Sequence, residues 1–253
     1  VYTVPHLVRP GETIASSSYA RFCGGKGLNQ SVALARAGAD VWHAGKIGSD
    51  GCFLNERLRA EGVNVDFIEE VDAPTGHAVI QVDSNGENAI VLHGGANHAI
   101  THADAERVLA DFGPDELLLV QNEISATAAL LSQAAARGMR VAFNPAPFGP
   151  DVLAYPLEHV DLFILNETEG TGLAGRTSPE EITRALRGRY PDAAIILTLG
   201  SRGAIFTDDA GTCEAAALKV KAVDTTAAGD TFIGFFLAAY TRGVDVRECL
   251  DSA

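Results

Sequence analysis

The chain has little of what would tie it to a nucleic acid, a membrane or an oxidising compartment. Nineteen Lys and Arg stand against 33 Asp and Glu, a formal net charge of −14 with a pI near 4.8. Nucleic acids and anionic membranes call for clustered positive charge, so both are excluded as partner classes. The longest apolar runs, such as residues 232–240, fall well short of the roughly 20 residues that a membrane helix needs. The four cysteines (Cys23, Cys52, Cys213, Cys249) share no CxxC spacing, which argues for reduced thiols and against a disulfide frame or zinc site. With no signal peptide at the start, a cytoplasmic location is expected. The seven histidines show no metal-ligand spacing. Neither a G-x-S-x-G elbow nor a Ser-His-Asp arrangement occurs, so hydrolase chemistry has no support. Walker A and G-x-G-x-x-G spacings are missing as well.

What remains is an ordinary globular chain, 47% hydrophobic and 21% charged, long enough for one large domain with a small appendage. The second half alternates between strand-like and helix-like stretches. Residues 117–121, 140–144, 162–165 and 194–198 are short apolar runs. Helical patterns follow over 126–137, 167–173 and from Pro179 to about residue 189. Continuous apolar strands alternating with helices predict a mostly parallel sheet covered on both faces. The first half differs. Residues 77–82 and 88–92 read as a hairpin turned at Asn85-Gly86, and residues 10–20 offer another strand or two. A small antiparallel sheet interrupting an α/β domain suggests a lid.

Near the C-terminus, an alternating strand over 219–223 runs into Asp224-Thr225-Thr226-Ala227-Ala228-Gly229-Asp230, and an apolar helix follows. Small residues at a helix start let a ligand approach unpaired N–H groups, and the helix dipole favours negative charge. A carboxylate beside such an anion hole suits phosphoryl transfer, with Asp230 taking the proton of the attacking hydroxyl. Alone, the same residues also describe an ordinary capped helix start. Near the other end, Gly24-Gly25-Lys26-Gly27-Leu28-Asn29-Gln30 leads into a helix expected over 31–37. Its backbone amides, one side-chain amide and one Lys suit polyol hydroxyls, and equally fit a plain glycine turn. Asn166-Glu167-Thr168-Glu169 reads as a capped helix start that could also orient metal-bound water. Thr198-Leu199-Gly200-Ser201-Arg202-Gly203 ends a strand at the expected carboxyl edge of the sheet, and Glu123 closes the 117–121 strand where it could accept sugar hydroxyls.

Those motifs, together with Gly94-Gly95-Ala96-Asn97 and Asn144-Pro145-Ala146-Pro147, resemble the PfkB carbohydrate kinase family along essentially the whole chain, most of all its ribokinase-like branch. Each motif is weak by itself; together, in this order, they are specific. The resemblance implies a three-layer α/β/α doubly wound sheet with a small β-sheet lid. It implies a lid at residues 1–22 and 73–95, a core at 23–72 and 96–253, and a homodimer joined through the lids. It implies ATP-dependent phosphorylation of a sugar hydroxyl, with ribose as the favoured acceptor and ribose 5-phosphate the product. Carried over by position, Asp230 is the base and Ala227, Ala228 and Gly229 form the anion hole. Gly25, Lys26, Asn29 and Glu123 contact the sugar, and Thr198, Gly200 and Gly203 line the ATP site. Asn166 and Glu169 act around Mg-ATP through water, while Asp224 and the Thr226 carbonyl help hold a potassium ion. The family pattern extends past both ends of this sequence, with an Asn-x-Asp strand before it and residues that close the adenine and potassium sites after it. Another sugar or a nucleoside is the alternative acceptor. A non-catalytic sugar- or nucleotide-binding protein on the same scaffold is the reading from a different class.

Overall fold

Apolar runs in the second half become strands of one sheet, and their alternate residues fill two separate cores. The protein is described by a computed structural model over residues 1–220 and 226–253. In chain order, β1 (Tyr2–Thr3), β2 (Ser18–Tyr19), α1 (Lys26–Arg36), β3 (Trp42–Ile47), α2 (Cys52–Ala60) and β4 (Asn64–Glu70) come first. β5 (His77–Val82), β6 (Asn88–His93), α3 (His102–Leu109), β7 (Leu117–Gln121), α4 (Thr127–Ala136) and β8 (Arg140–Asn144) follow. Then come β9 (Leu162–Asn166), α5 (Glu167–Ala174), α6 (Pro179–Arg189), β10 (Ala194–Thr198), β11 (Ala204–Thr207), β12 (Thr212–Ala215), α7 (Ala228–Thr241) and α8 (Val246–Ser252).

The main sheet has the order β12-β11-β10-β9-β8-β7. β7 to β10 are parallel, and β11 and β12 add an antiparallel edge. Side chains alternate across a strand with period two. Val141, Phe143, Phe163, Leu165, Ile195 and Leu197 therefore pack with α4, α5 and α6 on one face. Their neighbours Ala142, Leu162, Ile164, Ala194 and Ile196 pack with α7 and α8 on the other. This is the three-layer arrangement expected from continuous apolar strands.

β3 and β4 form a separate parallel pair under α1 and α2, whose core is Leu28, Val32, Leu58, Val63 and Val65. Sequence patterning left this pair unread, because His43 and Lys46 in one strand and Asp66 and Glu69 in the other break the apolar runs. The third sheet has the order β2-β1-β5-β6. Its β5–β6 hairpin turns where expected, with Asp83 Oδ1 accepting the N–H groups of Asn85 and Glu87 at 2.8 and 3.0 Å. Gly86 supplies a φ of 83° there. This sheet is mixed rather than purely antiparallel, since β1 runs parallel to β5.

Three local expectations need correction. Helix α1 begins at Lys26, not at residue 31. Gly25, at φ 100°, ends the loop, and its carbonyl takes the first helical bond from the Asn29 N–H at 3.0 Å. The glycine stretch is thus mostly helix, and Gly27 is there for close packing: a Cβ would meet Gln121 Oε1 at 3.2 Å. Of residues 10–20, only Ser18 and Tyr19 are in a strand. Lys219 and Val220 are in no strand either, while residues 221–225, including Asp224, lie outside the described residues.

Candidate active site

The parallel strands β7 to β10 end on one side of the sheet, and Gln121, Asn144, Asn166 and Thr198 are their last residues. Ligands of open α/β sheets bind at this edge. α1 and α7 meet above it.

Helix α7 starts with an irregularity. Its N-cap, Ala227, has a φ of 59°, a left-handed conformation that costs a residue with a Cβ about 1–2 kcal/mol. The first helical bond is from the Thr231 N–H to the Ala227 carbonyl, 2.8 Å. The N–H groups of Ala228, Gly229 and Asp230 precede it and have no acceptor within the helix, at the positive end of its dipole. Ala228 and Gly229 are exposed, and Asp230 turns inward to 8% exposure. Thr226 is exposed directly before this turn.

The Asp230 carboxylate is gripped from α1. Asn29 Nδ2 donates to Oδ2 and Gln30 Nε2 to Oδ1, each at 2.9 Å. The same helix start carries the sugar-side candidates. With Gly25 in its positive-φ conformation, the Lys26 N–H points at Glu123 Oε2, 2.9 Å away. Burial raises the Glu123 pKa above the usual carboxylate value; the backbone bond and charge of Lys26 oppose that rise and the charge of Asp230 adds to it. Gly25, Lys26, Asn29, Glu123, Ala227 and Asp230 all line one cavity of about 2950 Å³. It exceeds the size of an ordinary ligand pocket because it continues between the edges of β3 and β7.

The nucleotide-side candidates do not line that cavity. Asn166 caps α5: its Oδ1 accepts the Glu169 N–H at 3.0 Å, and Glu169 Oε2 accepts the Asn166 N–H at 2.9 Å. Asn166 Nδ2 also donates to Glu169 Oε1 at 2.9 Å. The capping reading is therefore real, and it leaves Asn166 exposed while Glu169 is buried. Burial raises the pKa of Glu169, against the bonds from Asn166 and the charge of Lys26. Thr198 Oγ1 donates to the Leu165 carbonyl at 3.2 Å. Gly200 and Gly203 take φ values of 58° and 106° in the following turn. Gly203 also abuts the Ala215 carbonyl so closely that no Cβ fits, so packing within the chain already explains that glycine. Among the described residues, no group of three or more His, Cys, Asp or Glu could hold a metal ion, and no helix is long and apolar enough to cross a membrane.

Sequence reasoning gave no role to Gln30, Gln121 or Asn144, which join the two halves of the site. Gln30 is fully buried and Asn144 is 5% exposed. Gln121 Nε2 donates to Gln30 Oε1 at 2.6 Å, Gln30 Nε2 to Asn144 Oδ1 at 3.2 Å, and Asn144 Nδ2 to Glu169 Oε2 at 3.5 Å. The signal was a long polar side chain on the stripe of α1 that also holds Ala33, where a core-facing helix otherwise places apolar residues.

A model of the pfkB family carbohydrate kinases matches residues 2–253. A ribokinase of Staphylococcus aureus (strain COL) is 33% identical, over 96% of this chain and 83% of its own length. Among solved structures, a ribokinase from Cryptococcus neoformans var. grubii serotype A in complex with ADP superposes with a TM-score of 0.85 at 35% identity, covering 99% of this chain and 86% of that one. A ribokinase of Arabidopsis thaliana complexed with ribose and ATP gives a TM-score of 0.86 at 29% identity, covering 98% and 84%.

Proposed function

The chain belongs to the pfkB family of carbohydrate kinases, and from that premise we propose that it transfers the γ-phosphoryl group of ATP to the 5-hydroxyl of ribose. One observation carries the reading. The Asn29–Asp230 hydrogen bond joins the glycine stretch that suits a polyol to the helix start that suits an anion. Asp230 takes the proton of the attacking hydroxyl as its oxygen bonds to phosphorus and the bond to ADP breaks. The amides of Ala227, Ala228 and Gly229 stabilise the charge that spreads over the phosphoryl oxygens. Gly25, Lys26, Asn29 and Glu123 hold the sugar. Thr198, Gly200 and Gly203 line the nucleotide, whose phosphates reach from their strand end towards α7.

Magnesium keeps most of its own waters. Asn166 and Glu169 are the proposed residues that would hold such an ion through water: Asn166 is exposed, and its Oδ1, which accepts the Glu169 N–H, keeps a second lone pair for a metal-bound water. When bound, the ion neutralises charge on the transferring phosphates. Asp224 and the Thr226 carbonyl are the proposed potassium ligands. Residues 1–22 and 73–95 form the lid, with residues 23–72 and 96–253 as the core. Ile90, Val91 and Leu92, 52–67% exposed on the β5–β6 hairpin, support a homodimer in which the lid of a second copy covers them. Four free thiols suit a cytoplasmic location.

Asp230→Asn tests the core of this reading. Turnover should fall about 10²–10⁴-fold, the range of a lost general base, with little change in either KM. Near-normal turnover would remove Asp230 from the role. ADP release measured across ribose, deoxyribose, fructose, adenosine and pseudouridine should give ribose the highest kcat/KM; a preference for another acceptor refutes the choice of sugar and leaves the kinase chemistry standing.

A further inference from the structure

Gln30 is fully buried on a helix whose remaining buried face is Leu28, Ser31, Val32 and Ala33. A buried amide needs partners for two donors and an acceptor, and every one is present. One Nε2 hydrogen goes to Asp230 Oδ1 and the other to Asn144 Oδ1, while Gln121 Nε2 satisfies Oε1. The orientation of this chain of amides is not free. A carboxylate only accepts, so Gln30 must turn its NH₂ towards Asp230. Its oxygen then faces Gln121, and Asn144 must receive on Oδ1 and donate from Nδ2. Asn144 Nδ2 donates in turn to the Ile164 carbonyl at 2.9 Å and to Glu169 Oε2. Two carboxylates at opposite ends, Asp230 and Glu169, thus fix the direction of every amide between them.

We propose that Gln30 is a positioning residue for Asp230, and that with Asn144 it forms a neutral bridge coupling the base to Glu169 on the nucleotide side. This deepens, and rests on, the reading of Asp230 as the base. The bridge has a chemical logic. A Lys or Arg in that place would orient the carboxylate too, but its charge would make Asp230 a poorer proton acceptor. Amide donors hold one lone pair of each oxygen and leave the other to the substrate hydroxyl. Glu123 and Glu169 both feel the charge of Asp230, and Lys26 acts on both glutamates; none of the three replaces the Gln30 donor.

Two substitutions separate positioning from mere filling. Gln30→Met keeps the volume and removes the donor. Its kcat should fall about 10–100-fold, the effect of losing one hydrogen bond to a charged group, with the sugar KM within about twofold because Asn29 and Glu123 are untouched. Gln30→Glu keeps shape and volume but sets a second carboxylate against Asp230. Two such groups share a proton, and the protonated form regains a donor. The deficit of Gln30→Glu relative to wild type should therefore shrink as pH falls from 8 towards 5.5. An unchanged kcat in Gln30→Met, or a Gln30→Glu deficit independent of pH, overturns the proposal. Should either variant fail to fold by circular dichroism, Gln30→Leu is the substitute. It also lacks a donor, in a smaller side chain, and must lower kcat at constant KM; wild-type kcat there overturns the proposal equally. Asp230→Asn measured alongside keeps the two readings apart. Collapse of Asp230→Asn with normal Gln30→Met removes only the positioning role, whereas an active Asp230→Asn removes the base itself.

Discussion

Gly234→Ala should damage catalysis from a position that touches no substrate. Gly234 lies one turn after Asp230 on α7, and Ala33 and Leu34 lie one turn after Asn29 and Gln30 on α1. The two helices therefore meet in register, with the carboxylate–amide contact one turn from the glycine contact. A Cβ on Gly234 would lie 2.7 Å from the Leu34 nitrogen and 2.8 Å from the Ala33 carbonyl carbon, and nearer still to Ala33 Cβ. Ordinary contact begins near 3.4 Å, so relieving the 2.7 Å contact alone requires the helices to part by about 0.7 Å, and the nearer Ala33 Cβ makes that a minimum. Passed along one turn, that displacement takes the 2.9 Å bonds of Asn29 and Gln30 to Asp230 to about 3.6 Å, beyond hydrogen-bonding range. Alanine gains about 1 kcal/mol in helix propensity, while overpacking costs about 1–3 kcal/mol. The net loss, up to about 2 kcal/mol, lowers Tm by up to about 8 °C in a chain of this size. Displacing a catalytic group by most of an ångström costs roughly 10²-fold in rate, so kcat should fall by about 10- to 100-fold. Thermal melts and coupled ADP release at saturating substrates measure both. Gly188→Ala is the control, since Gly188 is exposed in α6 with open space around it, and it should gain about 0.5–1 kcal/mol with unchanged kcat. A Gly234→Ala protein as stable and active as Gly188→Ala would refute the idea that this glycine sets the spacing of the site.

Two further outcomes follow from the electrostatics. Burial holds the Glu123 pKa above its ordinary 4.5, so the folded state binds this proton more tightly than the unfolded chain, and that stabilisation is present below pH 4.5 and lost as pH rises through the raised value. Glu123→Gln should match wild type at pH 4 and show the higher Tm at pH 7.5, while its KM for sugar rises about tenfold through loss of a charged acceptor; a Tm below wild type at pH 7.5 contradicts this. A chain of net charge −14 repels ATP at long range, and the screening length falls from roughly 30 Å at 0.01 M salt to about 8 Å at 0.15 M. At fixed potassium, kcat/KM for ATP should rise as tetramethylammonium chloride is added over that range, and a fall would point to steering by a basic patch.

The parts of the fold that were legible in the sequence are those where local pattern and tertiary environment agree. β7 to β10 are apolar apart from their end residues because both their faces are covered. The Asn85-Gly86 turn is legible because its backbone needs a positive φ whatever surrounds it. Reading failed where tertiary contact overrode propensity. Gly27 looks like a loop residue and is helical, in a place where α1 packs so close to β7 and β3 that a Cβ would press on Gln121 Oε1 at 3.2 Å and touch His43. The β3–β4 pair carries polar residues that an apolar-run criterion rejects. In the site, motif residues such as Asp230 and Asn29 stood out, since their residue types announce chemistry. Gln30 and Asn144 did not, because a buried amide has a meaning only through its partners, and those lie 91–200 residues away for Gln30.

That dependence on partners also explains how so acidic a chain can present a site for a polyphosphate. Among three carboxylates at the site, Asp230 acts on both Glu123 and Glu169, and the charge of Lys26 reaches both glutamates. One cation cannot offset three anions and a nucleotide. In the proposed reaction, magnesium and potassium supply part of the missing charge, and the rest comes from dipoles that carry no net charge: amides from α1 and β8 on the carboxylates, and backbone N–H groups at the start of α7 towards the phosphate. Fixed dipoles need no reorganisation when charge moves from the sugar oxygen to the phosphoryl group, but they work only if the backbone holds them in place. The left-handed Ala227, the close contact at Gly234 and the capping box at Asn166 are three separate ways of fixing backbone. Each stands within one helical turn of a group it must aim. On the proposed reading, local strain and close packing are thus the counterpart of a site that aims dipoles as well as ions.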